Sequence, residues 1–247
     1  MGTTSAAIDQ RRGQATRPGG VPRLRADARR NRDQLLHAAR DVFVEHGPSA
    51  ALEDVARRAG VGIATLYRRF PDRQSLQRAV ALDVLARVAQ EADHALAEEP
   101  DAFLALARYM HRALDLRVGA VMPVLMSELS LTDEALLRAR DVAAVPVQAM
   151  IATAQAAGTL RLDVDFGDIG LLIARLCQPL PAPFPRAVAD ALAHRHLALL
   201  LDGLRGDPSR SAETLSGPAL TLGDLQALTP SPSPPAPSPV PRERGSE

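Results

Sequence analysis

Leu52-Glu-Asp-Val-Ala-Arg-Arg-Ala-Gly-Val-Gly-Ile-Ala-Thr-Leu-Tyr-Arg-Arg-Phe-Pro-Asp-Arg73 is the stretch on which the fold turns. It reads as two short helices, Leu52 to Arg58 and Ile63 to Phe70, joined through Gly60 and closed by Pro71-Asp72. Gly60 can adopt the left-handed conformation that ends a helix, and the small Ala56 lets two backbones approach at a steep angle. Gly62 is an adequate N-cap, weaker than Ser by only a few tenths of a kcal/mol. Val55, Val61, Leu66 and Phe70 are then expected to point inward.

That leaves Ile63, Ala64, Tyr67 and Arg68 on the outward face of the second helix. An aromatic, a guanidinium and small residues exposed together serve no folding purpose. They suit a major groove, where Arg reads guanine and apolar groups touch the thymine methyl.

Outward from this stretch nearly everything has helical periodicity. Leu35, Leu36, Ala39, Val42 and Phe43 form one stripe over Asp33 to His46, which stops at Gly47-Pro48. Further helices are predicted over Gln74 to Glu98, Asp101 to Val118, Val121 to Leu129, Thr132 to Ala157, Asp168 to Gln178 and Pro185 to Leu204. Pro123 and Pro146 are expected to break two of them. The strand-like candidate Leu160 to Phe166 is short and charged. The predicted class is therefore all-α. A disordered basic arm occupies 1–30, a three-helix DNA-binding domain 31–75 and a helical ligand-binding and dimerisation bundle 76–205. A Pro/Ser-rich disordered tail, with one marginal helical turn at Leu220 to Leu228, fills 206–247.

The net charge is zero, but its distribution is not even. From Met1 to Arg73 there are 14 Arg against eight acids, a net of +6; the remainder is −6. A basic front end on an acidic body is expected when only one part meets phosphate. A single Cys, Cys177, excludes an intramolecular disulfide and suits a reducing cytoplasm. No signal-peptide core or membrane-length apolar run is present. The six His are scattered, and His194 and His196 point to different sides of a helix, so no metal, cofactor or catalytic constellation assembles.

Ala-Gly-Val, Thr-Leu-Tyr, and the later Phe-Pro-Asp-Arg resemble the signature of the TetR/AcrR family over Asp33 to about Val80. Ala157-Gly-Thr-Leu-Arg-Leu-Asp and Arg195 to Arg205 are similar to the ligand domain of an actinobacterial subgroup. The resemblance implies phosphate contacts from Thr65, Tyr67 and Arg73, and base-edge contacts from Ile63, Ala64 and Arg68. Three departures stand out. Ala50 and Ala51 replace common Thr, with Ser49 as a substitute phosphate contact; Gly62 replaces Ser; and Arg69 replaces His or Tyr, adding charge.

In the body, Phe103, Tyr109, Met110, Met122 and Met126 make a soft lining suited to an apolar small ligand. The Leu-rich end of the last helix leaves no polar side. Leu197, Leu200, Leu201 and Leu204 are accordingly expected at a homodimer interface. The expectation is a cytoplasmic homodimeric repressor that leaves a near-palindromic double-stranded operator when its ligand binds. Its rivals are a ligand-blind helical DNA-binding protein and an enzyme on a helical scaffold.

Overall fold

A computed structural model describes residues 21–122, 133–178, 180, 184–206 and 215–228. Its helices are α1 Val21–His46, α2 Leu52–Arg58, α3 Ile63–Arg69, α4 Arg73–Glu98, α5 Ala102–Asp115, α6 Glu134–Ala156, α7 Phe166–Leu176, α8 Arg186–Leu204 and α9 Leu222–Leu228. Residues 118–122 add a further helical stretch. Among the described residues there is no strand, only an isolated antiparallel bridge between Leu160 and Arg205. The protein is all-α, with an N-terminal three-helix headpiece. No described helix is long and apolar enough to cross a membrane.

The stripe on α1 does what its spacing dictates. Leu35, Leu36, Ala39, Val42 and Phe43 are buried and meet Val55 of α2, Leu66 of α3 and Leu76 and Val80 of α4. The 26-residue α4 continues from the headpiece into the body, where it packs on α5 and α6. One apolar cluster therefore runs through both parts. The starts of α4 and α6 follow local capping chemistry. The Asp72 carboxylate accepts from Ser75 N–H at 2.6 Å in a capping box. Asp133 accepts from the N–H groups of Ala135 and Leu136 and is also held by Arg78 of α4. That guanidinium keeps the Asp133 carboxyl below the usual carboxylate range.

Three expectations need correction. Helix α1 begins at Val21 rather than Asp33, so the last ten positions of the 1–30 arm are helical; residues 1–20 lie outside the described residues. The apolar stripe marks only the packed part of a helix, whereas Leu, Ala and Arg extend it by propensity. Pro146 does not break α6, which passes through it. The carbonyl one turn back belongs to Val142, 65% exposed, so water can replace the lost bond.

The third correction concerns the 206–247 tail, of which 215–228 folds back on the body. Gly167 N–H donates to the Leu220 carbonyl at 2.6 Å, and Leu220 N–H to the Asp168 carboxylate at 3.2 Å. Leu215 N–H donates to Asp163 at 2.8 Å. A Cβ at position 167 would stand 2.4 Å from the Leu220 oxygen, so only glycine admits this passage. Residues 207–214 and 229–247 lie outside the described residues.

Candidate nucleic-acid interface

The α2–α3 corner is made by backbone. Gly60 sits at φ +67°, and Val61 N–H closes the end of α2 by donating to the Ala56 carbonyl at 3.0 Å. Neither α2, with Ala51 at its N-cap, nor α3, with Gly62, has a side-chain cap. Tertiary packing therefore holds these two short helices, chiefly through fully buried Val55 and Leu66 and nearly buried Phe70.

With Leu66 and Phe70 turned inward, Ala64, Tyr67, Arg68 and Arg69 are exposed on α3, Tyr67 by 45%. Thr65 is half-buried. Ile63 differs from its expected outward position: it is half-buried and packs against the core at the start of α3. Ser49 is exposed, and Ala50, where a hydroxyl was looked for, is buried.

Charge pairing separates the headpiece guanidiniums into two groups. Arg57 pairs with Asp54, and Arg58 with Glu45 at 2.6 Å. Both have their charge locally neutralised by carboxylates of α1 and α2. Arg68 and Arg69 have no carboxylate partner among the described residues. The uncompensated positive charge of the corner thus sits on the same face as Tyr67.

Arg73 takes a different role from the phosphate contact expected of it. Its Nη1 donates to the Pro48 carbonyl at 3.0 Å and to the Ala50 carbonyl at 2.5 Å. Buried Gln77 donates a second bond to Pro48 at 3.1 Å. Together these side chains clamp the α1–α2 turn from the first turn of α4. No local sequence signal could have revealed it, because the partners lie 23 to 29 residues away.

In the body, Phe103, Tyr109 and Met110 are all buried in the core cluster. Arg205 covers the Phe103 ring at 4.6 Å, and burial pushes the Tyr109 phenol pKa up. Met122 is half-buried against the same cluster, and Met126 lies outside the described residues. Phe103, Tyr109, Met110 and Met122 are thus brought together in one apolar cluster.

A cleft of about 450 Å³ lies elsewhere, between the end of α1, the end of α5, the end of α7 and the first half of α8. His194 on its wall stacks on His111 at 5.1 Å, with their Nδ1 atoms 2.8 Å apart and His194 Nε2 3.1 Å from Asp115. With both rings neutral, His194 donates through Nε2 to Asp115 and accepts at Nδ1 from His111. Burial, then the neighbouring His194, holds the His111 pKa down. The sequence separation of 83 hid this pair. Cys177, also on the cleft, is buried with its thiol pKa pushed up by desolvation.

The four interface leucines divide. Leu197, Leu201 and Leu204 are buried inside their own protomer, whereas Leu200 is 36% exposed. The outward side of α8 instead carries Val188, Arg195 and Leu199, the last 63% exposed.

A corner of two short helices, with its second helix presenting an aromatic and unpaired guanidiniums, defines a helix-turn-helix headpiece on a helical body. Residues 35–80 match the family model for bacterial regulatory proteins of the tetR family, and residues 99–206 that for the SbtR-like transcriptional regulator C-terminal domain. A TetR transcriptional regulator from Streptomyces coelicolor is 33% identical, with 71% of this chain and 98% of that one covered at a TM-score of 0.53. A TetR regulatory protein from Mycobacterium vanbaalenii is 32% identical, with 74% and 99% covered at 0.52. The chain belongs to the TetR family of transcriptional regulators, which are not enzymes.

It is also 41% identical over 98 residues to the HTH-type transcriptional repressor LfrR of Mycolicibacterium smegmatis, covering 38% of this chain and 50% of LfrR. The chain thus spans half the length of that curated relative. The structure of LfrR in complex with proflavine is 28% identical, with 70% and 96% covered at a TM-score of 0.52.

Proposed function

We propose that the protein is a homodimeric repressor whose two α3 helices enter successive major grooves of a near-palindromic operator, and that a small ligand releases it. The observation that carries this reading is the outward face of α3: half-exposed Tyr67 beside Arg68 and Arg69, both without carboxylate partners among the described residues. Arg68 is the base reader, and Thr65, Tyr67, Arg69 and Ser49 hold the phosphates. The clamp of Arg73 and Gln77 fixes the turn that places Ser49 and α2. Basic residues 1–20 add sequence-independent attraction.

The outward side of α8, with Val188, Leu199 and Leu200, is the proposed dimer surface. Exposed apolar residues on a helix whose opposite side is already buried need a second cover. Half-site recognition requires that a two-fold axis there set two α3 helices apart by a multiple of the DNA turn. Ligand release is supported by the repressor LfrR, whose structure contains proflavine. Selection of bound duplexes from a random pool tests the proposal. It should return an inverted repeat; a single unrepeated half-site, or no enrichment, would refute it.

A further inference from the structure

Glu45, in the last turn of α1, holds two guanidiniums from different parts of the chain. Its Oε2 meets Arg58, the last residue of α2, at 2.6 Å, and its Oε1 accepts from Arg186, the first residue of α8, at 2.7 Å. Each oxygen thus serves one partner. The hydrogen bond with Arg58, aided by the charges of Arg58 and Arg186, keeps the Glu45 carboxyl below the usual carboxylate range. Arg186 also lies 3.6 Å from Asp41, one turn back on α1, and 4.0 Å from Asp190 on its own helix. Asp190 in turn accepts from Arg117, just past α5, at 2.6 Å. A line of alternating charge therefore runs from α2 through α1 to α8, crossing the cleft between α1 and α8.

The position of this tie matters more than its strength. The headpiece helices α1 to α3 join the body covalently through α4 alone, which packs on α1 and, further along, on α5 and α6. A rigid unit held along one helix can turn about it, and a second attachment away from that helix stops the turn. Arg186 supplies the second attachment. It does so from the helix whose outward side, with Val188 and Leu199, is the proposed dimer surface. As one unbroken helix of 19 residues, about 28 Å long, α8 carries the geometry of the dimer to Glu45 without a joint.

We infer that Arg186 is a positioning residue for DNA recognition: by holding Glu45 it fixes each headpiece against α8, and so selects the half-site spacing that the dimer accepts. The inference rests on the dimeric repressor reading. One base pair added between half-sites moves them apart by about 3.4 Å and turns one against the other by about 34°. A headpiece held at two places resists that turn, whereas one held through α4 alone follows it. Base reading inside a half-site is left alone, because α3 is seated by Val55, Leu66 and Phe70 within the headpiece.

The test measures the affinity of the full chain for the selected operator and for operators with one base pair added or removed between the half-sites. The wild type should prefer its own spacing. In Arg186→Ala that preference should fall about three- to tenfold, the scale of one or two half-exposed ion pairs in each protomer. The order of preference among base substitutions inside a half-site should stay the same. Glu45→Gln, at the other end of the tie, should lose the spacing preference comparably, and Arg186→Lys, which still reaches Glu45, should restore most of it. Arg58→Ala is the control, since it removes a tie inside the headpiece and should keep the wild-type spacing preference. An unchanged preference in Arg186→Ala, an equal weakening at every spacing, or an equal loss in Arg58→Ala overturns the inference. If the wild type enriches no inverted repeat, the repressor reading itself fails; if it enriches one and Arg186→Ala keeps its spacing, only the inference fails.

Discussion

Arg73→Ala separates a clamp from a phosphate contact. The guanidinium donates to two carbonyls, Pro48 at 3.0 Å and Ala50 at 2.5 Å, in a half-buried setting. Hydrogen bonds to charged groups contribute about 1.5–3 kcal/mol each. The two do not simply add, because Pro48 keeps the Gln77 amide at 3.1 Å while Ala50 loses its side-chain donor. The expected loss is therefore about 2–3 kcal/mol, dominated by the stranded Ala50 carbonyl. For a chain of this size that lowers the melting temperature by about 4–12 °C. Urea unfolding followed by circular dichroism measures it. Arg73→Lys should recover less than half, since an ammonium does not reproduce the planar fork. DNA affinity should fall as well, for every sequence alike, as the α1–α2 turn loosens. Wild-type stability combined with a shallower salt dependence of binding would refute the clamp and return Arg73 to the phosphate.

Three further outcomes follow from the geometry. Gly167→Ala places a methyl 2.4 Å from the Leu220 oxygen, so the 215–228 segment should detach at a cost of about 1–3 kcal/mol; unchanged amide-exchange protection there would sink its docking. Leu199→Glu, on the exposed side of α8, should give folded monomers by light scattering, whereas Leu201→Glu, facing the core, should unfold the protein; a dimeric Leu199→Glu would move the interface off α8. The depressed His111 pKa makes stability full above the imidazole's usual value near 6.5. Stability then falls as pH drops toward the lowered folded value, because the unfolded chain protonates first. His111→Gln should flatten that stretch of the profile, and an unaltered slope would remove His111 from it.

The all-α class and the headpiece were legible because each rests on local signals. Apolar spacing on Asp33 to His46, glycine at 60 and the buried pair Leu66 and Phe70 leave few alternatives for the corner. Periodicity says which residues are apolar, not which neighbour covers them. Leu197, Leu201 and Leu204 therefore read as an interface although their own protomer buries them. Phe103, Tyr109 and Met110 read as a pocket lining, and what the structure adds is that they lie buried in the core cluster. Contacts across long stretches of chain were invisible, among them the Arg73 clamp, the His111–His194 pair, the Arg186 tie to α1 and the return of 215–228 onto Gly167. Only the last had a cue. A glycine three residues before Gly170, inside an apolar helix, signals close backbone approach.

The central claim is that α3 reads base edges through Arg68, which has no carboxylate partner among the described residues and stands exposed beside Tyr67. The most direct measurement is the affinity of wild type and Arg68→Ala for the selected operator and for a set of single-base-pair substitutions in each half-site. The wild type should lose about 1–3 kcal/mol at one base pair per half-site, and Arg68→Ala should lose that discrimination while retaining the rest of the preference order. An Arg68→Ala protein that binds every sequence more weakly, with its preferences intact, would contradict it.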